Sequence, residues 1–213
     1  MSEFREIIYI LTILEKFARI DGAIFGSNLD GISDDNESNV FGCIDTNYRS
    51  FIRAYNLNNS IIANNYMGVS PNGTNIMNKA FGSNYTLDIQ NTDNLRVENN
   101  IINSYNSTDL GSIYIRNGNI NLQIVDNAVL GGTVGLSGAT TGALIKGNIF
   151  EGYTDKAIVL TDDSDGITLE ENTFERSSSV GKVIHLGAFI ADDLLSTPND
   201  PNDTDIGVNE LMN

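Results

Sequence analysis

An asparagine set between two large apolar residues returns five times in this chain, and no other feature restricts its fold as much. The segments are NSIIANNYMG, NLRVENNIIN, NLQIVDNAVL, GALIKGNIFE and GITLEENTFE, built around Asn65, Asn100, Asn127, Asn148 and Asn172. Three residues before each asparagine stands an aliphatic side chain (Ile62, Val97, Ile124, Ile145, Leu169). Two residues after it stands a large apolar one (Met67, Ile102, Val129, Phe150, Phe174). Successive asparagines are 35, 27, 21 and 24 residues apart. A period in the twenties, stretched by irregular insertions, is the signature of a solenoid in which each coil buries its face only against its neighbours.

Upstream of each of the last four asparagines, and once more after Asn172, lies a second run with the period of a strand. Its apolar pairs align as Leu87/Ile89, Ile113/Ile115, Val134/Leu136, Ile158/Leu160 and Ile184/Leu186. Alternation of this kind sends one row of side chains inward and the other outward. Each coil is therefore expected to hold a strand, a turn, a second strand ending near the aliphatic residue, the asparagine, and a third strand. Asparagine tolerates the left-handed backbone of a sharp bend, and its amide can bond the neighbouring main chain. In stacked coils such amides form a ladder. The fold class is all-β, a parallel β-helix of about six coils wound from a single chain.

The three-strand coil with an asparagine at one bend resembles the right-handed parallel β-helix of pectate-lyase-like proteins, over roughly residues 50–190. NNYMGVSPNGT (64–74) resembles a recurrent Asn-x-Ile-Gly-Thr…Gly-Thr insertion of large bacterial secreted and surface repeat proteins, with Met67 and Val69 departing from it. TPNDPNDTDIGVNELMN (197–213) resembles the segment that follows their last coils, with Ile206 interrupting its usual Asp-Thr-Gly. The resemblance implies an extracellular or cell-surface location and a segment of a longer protein.

Residues 1–20 are expected to form an amphipathic helix capping the stack, since Phe4, Ile7, Ile8, Leu11, Leu14 and Phe17 recur near helical spacing. The same stretch lacks the basic start and small-residue cleavage site of a secretory signal. Residues 21–190 form the β-helix, with 21–49 an irregular first coil and 69–84 an insertion. Residues 191–213, rich in Asp, Asn and Pro, form a weakly ordered acidic tail.

A balance of 12 basic against 28 acidic residues, net −16, excludes nucleic acid as a partner. No apolar run is long enough for membrane insertion. One cysteine, Cys43, and one histidine, His185, exclude a disulfide scaffold and Cys- or His-cluster metal sites. Cys43 is expected in the core and His185 exposed on a strand. The chain is expected to be monomeric.

The outward positions of the best-aligned strand are Arg53, Asp88, Tyr114, Gly135, Val159 and His185, followed by Tyr55, Gln90, Arg116, Ser137, Thr161 and Gly187. Arg53, Tyr55, Asp88, Gln90, Tyr114 and Arg116 together could grip sugar hydroxyls and carboxylates. The alternative is an ordinary solvated face. No catalytic residue is assigned. Lyases of the resembled fold hold Ca²⁺ with several carboxylates, and its glycosidases carry Asn-Thr-Asp, Asp-Asp and Gly-His-Gly. This chain has NTD at 91–93, Asp162 and Asp163, and a lone His185. Three coils at about 4.8 Å put those carboxylates roughly 14 Å apart, beyond the roughly 5–10 Å of glycoside hydrolysis. TDDSDG (161–166) and NDPNDTD (199–205) offer oxygen ligands of the kind Ca²⁺ takes, without EF-hand spacing. No other cofactor is implied. The expected function is a non-catalytic surface module, structural or in contact with a polysaccharide or surface glycan. The alternative is a polysaccharide lyase or glycoside hydrolase.

Overall fold

The structure, a computed structural model, describes residues 20–27, 29, 37–41, 52–70, 85–103, 112–153, 156–161, 164–176 and 182–186. Among these residues every regular element is a β-strand. They form three six-stranded sheets and a two-stranded one, Ile20–Asp21 with Leu57–Asn58, with all pairs parallel. The first sheet stacks Ile52–Tyr55, Leu87–Gln90, Ile113–Arg116, Val134–Ser137, Lys156–Leu160 and Lys182–Leu186. The second stacks Ile24–Gly26, Ile61–Ala63, Arg96–Glu98, Gln123–Val125, Leu144–Lys146 and Thr168–Glu170. The third stacks Val40–Phe41, Tyr66–Met67, Ile101–Asn103, Ala128–Leu130, Ile149–Tyr153 and Thr173–Arg176. The chain visits the three sheets in turn and returns one strand further along, which is the path of a parallel β-solenoid.

Alternation explains why the register is unambiguous. A slip of one residue would turn every inward side chain outward. Ile52, Leu87, Ile113, Val134 and Ile158 pair in one inward row, and Ala54, Ile89, Ile115, Leu136 and Leu160 in the next. The residues three before each asparagine align likewise, as do those two after it. Ile62, Val97, Ile124, Ile145, Met67, Ile102, Val129 and Phe150 are all fully enclosed. Each such side chain contributes about 1.5–3 kcal/mol through removal from water. A further inward row, Leu95, Leu122, Ala143 and Ile167, stands five residues before the asparagines. Phe174 stacks on Phe150 with ring centroids 5.2 Å apart, continuing the core into the last full coil.

The ladder runs through the corner between the second and third sheets. The backbone N–H and Nδ2 of Asn65 both donate to Asn100 Oδ1, at 2.9 and 3.0 Å. Asn100 does the same to Asn127, Asn127 to Asn148, and Asn148 to Asn172. Each Nδ2 also donates to a carbonyl of the previous coil: Phe25, Ile62, Val97, Ile124 and Ile145 in turn. For the last four this is the aliphatic residue of the repeat, which therefore contributes a core side chain and an acceptor at once. A sixth rung precedes the five. Asn39 donates from its backbone and its amide to Asn65 Oδ1.

The left-handed residue at this bend is not the ladder asparagine but the one before it. Positive φ falls on Asn64, Asn99, Asp126, Gly147 and Glu171. The ladder residue itself is free to aim its amide inward because its predecessor makes the turn. At Gly147 (φ 66°) a Cβ would meet the Asp126 carboxylate, so glycine there answers both conformation and space.

The expected capping helix falls on 1–19, outside the described residues. Ile20, at its far end, already pairs as a strand with Leu57. Cys43, the acidic tail and most of the insertion (71–84) also lie outside them. The irregular first coil is present as Ile24–Gly26 and Val40–Phe41, which join the second and third sheets.

Candidate functional site

Strand register builds the site. Arg53 pairs with Asp88 and Asp88 with Tyr114, while Tyr55 pairs with Gln90 and Gln90 with Arg116. The six side chains expected to share a face are thus brought onto two adjacent outward rows over three coils. The same rows continue as Gly135, Val159 and His185, and as Ser137.

Four of the six side chains, Tyr55, Asp88, Gln90 and Arg116, bond to one another. Arg116 Nε donates to Asp88 Oδ1 at 3.1 Å and Arg116 Nη2 to Asp88 Oδ2 at 2.8 Å, a two-point clamp on the carboxylate. The Tyr55 hydroxyl donates to Oδ2 at 2.9 Å and Gln90 Nε2 to Oδ1 at 3.2 Å. A carboxylate offers about four lone-pair positions, and here four donors fill them. Tyr55 Oη in turn accepts from Gln90 Nε2 at 2.9 Å and from Arg116 Nη2 at 3.2 Å. Gln90 Oε1 accepts from Asn117 Nδ2 at 3.3 Å.

Asp88 is only 1% exposed although it points away from the core. Alternation predicts direction, and direction equals exposure only where nothing lies over the sheet. His185 makes the same point and corrects the expectation of an exposed strand residue. It is 4% exposed and pairs with Val159, which is also buried.

The aromatic side of the site is equally occupied. Tyr114 stacks on Tyr85 with centroids 4.2 Å apart and planes 15° from parallel. The Arg116 guanidinium lies 5.2 Å from the Tyr114 ring centre. Burial, then the neighbouring Tyr114, pushes the Tyr85 phenol up to about 12. Burial also raises Tyr55, reinforced by its bond to Asp88. For Arg116, burial alone would lower the pKa, but the bond to Asp88 and its charge outweigh it and the net shift is upward. All three groups keep their neutral-pH charge state. Chemically, the arrangement holds the Asp88 carboxylate against the Arg116 guanidinium.

Two participants escaped the sequence reading. Tyr85 precedes its strand and Asn117 follows one, so neither belongs to an alternating row. An aromatic residue adjoining the strand was the only signal for the first. The other chemistry-bearing motifs are not brought together. Asp93 reaches Asp165 only through Ile120 and Thr141, three bridge steps along the corner. Asp162, Asp163 and 199–205 lie outside the described residues. Among the described residues no three His, Cys, Asp or Glu side chains gather as a metal site. No helix among them is long and apolar enough to cross a membrane. Compared with protein-family models, with curated proteins and with solved structures, the chain matches none.

Proposed function

We propose that this chain is a non-catalytic structural module of an extracellular or cell-surface protein, a right-handed parallel β-helix of the pectate-lyase-like kind. Right-handedness follows the rule that parallel crossovers in one sheet take that hand in about 98% of cases. The surface location rests on the sequence resemblance of 64–74 and 197–213. One observation carries the structural reading: the side chains best suited to a glycan already satisfy each other across three coils. A sugar bonding to Asp88 would have to displace Arg116 from a carboxylate that is 2% exposed, leaving a buried charge partly unpaired. The network therefore acts as a clamp between coils.

The test compares glycan-array binding and cleavage of pectin and alginate for the intact chain with the stability of Arg116→Ala. The reading expects no binding, no cleavage and a lowered unfolding midpoint in the variant. Specific glycan binding that disappears in a fully stable Arg116→Ala would replace it with a glycan-contacting module. Released oligosaccharide would replace it with a carbohydrate-active enzyme.

A further inference from the structure

A second polar column lies at the corner between the first and second sheets. Bridges join Asp93, Ile120, Thr141 and Asp165, so the residues before them, Thr92, Asn119, Thr140 and Ser164, occupy equivalent places in four successive coils. The first two rungs follow the ladder pattern. Thr92 donates from its N–H and its hydroxyl to Asn119 Oδ1, at 3.2 and 3.0 Å, and Asn119 Nδ2 donates to Arg116 O at 3.0 Å. The next two do not. Thr140 is 0% exposed, yet its hydroxyl has no hydrogen-bond partner, and neither does the buried hydroxyl of Ser164. A third orphan, Thr161 Oγ1, belongs to the residue whose carbonyl accepts the Ser164 N–H at 3.0 Å.

Buried hydroxyls without partners are rare, and an internal water is the usual explanation. The side chains shorten along the column from asparagine to threonine to serine, so the last two rungs lack the amide that reaches across in the coil before. Neighbouring parallel strands are about 4.8 Å apart. That exceeds the roughly 2.7–2.8 Å of a direct O–H···O bond but matches two such bonds made through one water. We infer that an ordered internal water bridges the hydroxyls of Thr140 and Ser164, standing where Asn119 stands in the preceding coil. Water is the ligand that the two hydroxyls call for, because Thr140 and Ser164 are neutral side chains that both donate and accept.

A crystal structure of the intact chain at a resolution showing internal water should place one molecule within hydrogen-bond distance of both hydroxyls. An empty corner, a direct hydroxyl–hydroxyl contact, or a site with the short distances of a bound cation would overturn the inference. Thr140→Val supplies a test of sign. If the corner is hydrated, the variant strands the water and Ser164, and the unfolding midpoint falls by about 2–4 °C. A dry corner predicts an unchanged or raised midpoint, because the substitution then removes an unsatisfied group. Thr140→Val and Ser164→Ala should also be non-additive, since they share one water; additive shifts would contradict the bridge.

Discussion

The asparagine ladder and the Asp88 network both join successive coils with polar side chains, but they answer different needs. The ladder recurs in every coil from Asn39 to Asn172 and serves the main chain: from Asn65 to Asn172 each Oδ1 accepts a backbone N–H and each Nδ2 donates to a backbone carbonyl. The network spans three coils and serves its own members, since Arg116 pairs with the charge of Asp88 and Tyr55 donates a hydrogen bond to it. In the following coils the same positions are Gly135 and Ser137, and the sheet continues in register without it. The ladder is thus a condition of the fold, and the clamp is an addition to it.

That contrast is best broken at an interior rung. Asn127→Ala removes the acceptor of two Asn100 donors and the donor to Val97 O and Val125 O, all buried. Denaturant unfolding should show a loss of about 3 kcal/mol, from several unsatisfied groups at once. An effect under the size expected for a surface change would deny the ladder its role.

The network should respond less and asymmetrically. Arg116→Ala leaves the Asp88 carboxylate, 2% exposed, with two of its four donors gone, and should cost about 2 kcal/mol. Asp88→Ala should cost about half as much, because the Arg116 side chain is 35% exposed and can turn to water. Equal losses would mean that the carboxylate is not the buried partner. High pH should likewise act on the network and spare the ladder. Tyr85 holds its proton to about 12 when folded, against 10 for a free phenol. Its contribution is complete below pH 10 and is lost as pH rises through that window. Tyr85→Phe should flatten this alkaline decline in an unfolding series, and an unchanged slope would assign it elsewhere.

Position within the ladder gives a smaller effect. Asn172 is partly exposed, and among the described residues it accepts from Asn148 while its amide donates to Ile145 O. Asn172→Ala should cost about 1 kcal/mol, well below Asn127→Ala. Smallest, and opposite in sign, is Glu171→Asn. Glu171 holds φ 53° where equivalent coils use Asn64, Asn99, Asp126 and Gly147. Asparagine tolerates that conformation better, so a gain of about 0.5–1 kcal/mol is expected despite the exposed contact to Lys146.

The parts of this structure that were legible in the sequence are those fixed by period. Alternation located the inward rows and the register, and the spacing of the asparagines located the ladder. Asn39 was not legible because the chain between Gly26 and Asn39 separates it from the strand that should announce it. The left-handed residue stands one position before the asparagine that the repeat singles out, and it carries no repeat signal because Asn64, Asn99, Asp126, Gly147 and Glu171 all make the same bend. At the candidate site the six residues were correctly put on neighbouring rows, but their mutual bonding and the burial of Asp88 were not visible. Strand period specifies which way a side chain points, and nothing in it specifies what the side chain meets.

Native-state hydrogen exchange in Asn127→Ala tests the ladder most directly, because it can be read one rung at a time. The Asn100 N–H donates to Asn127 Oδ1 and loses its acceptor, whereas the Asn148 N–H donates to Asn172 Oδ1 and keeps it. The account predicts that Asn100 exchanges much faster than in the unaltered chain while Asn148 stays protected. Unchanged protection of Asn100 in a variant that remains folded would contradict it.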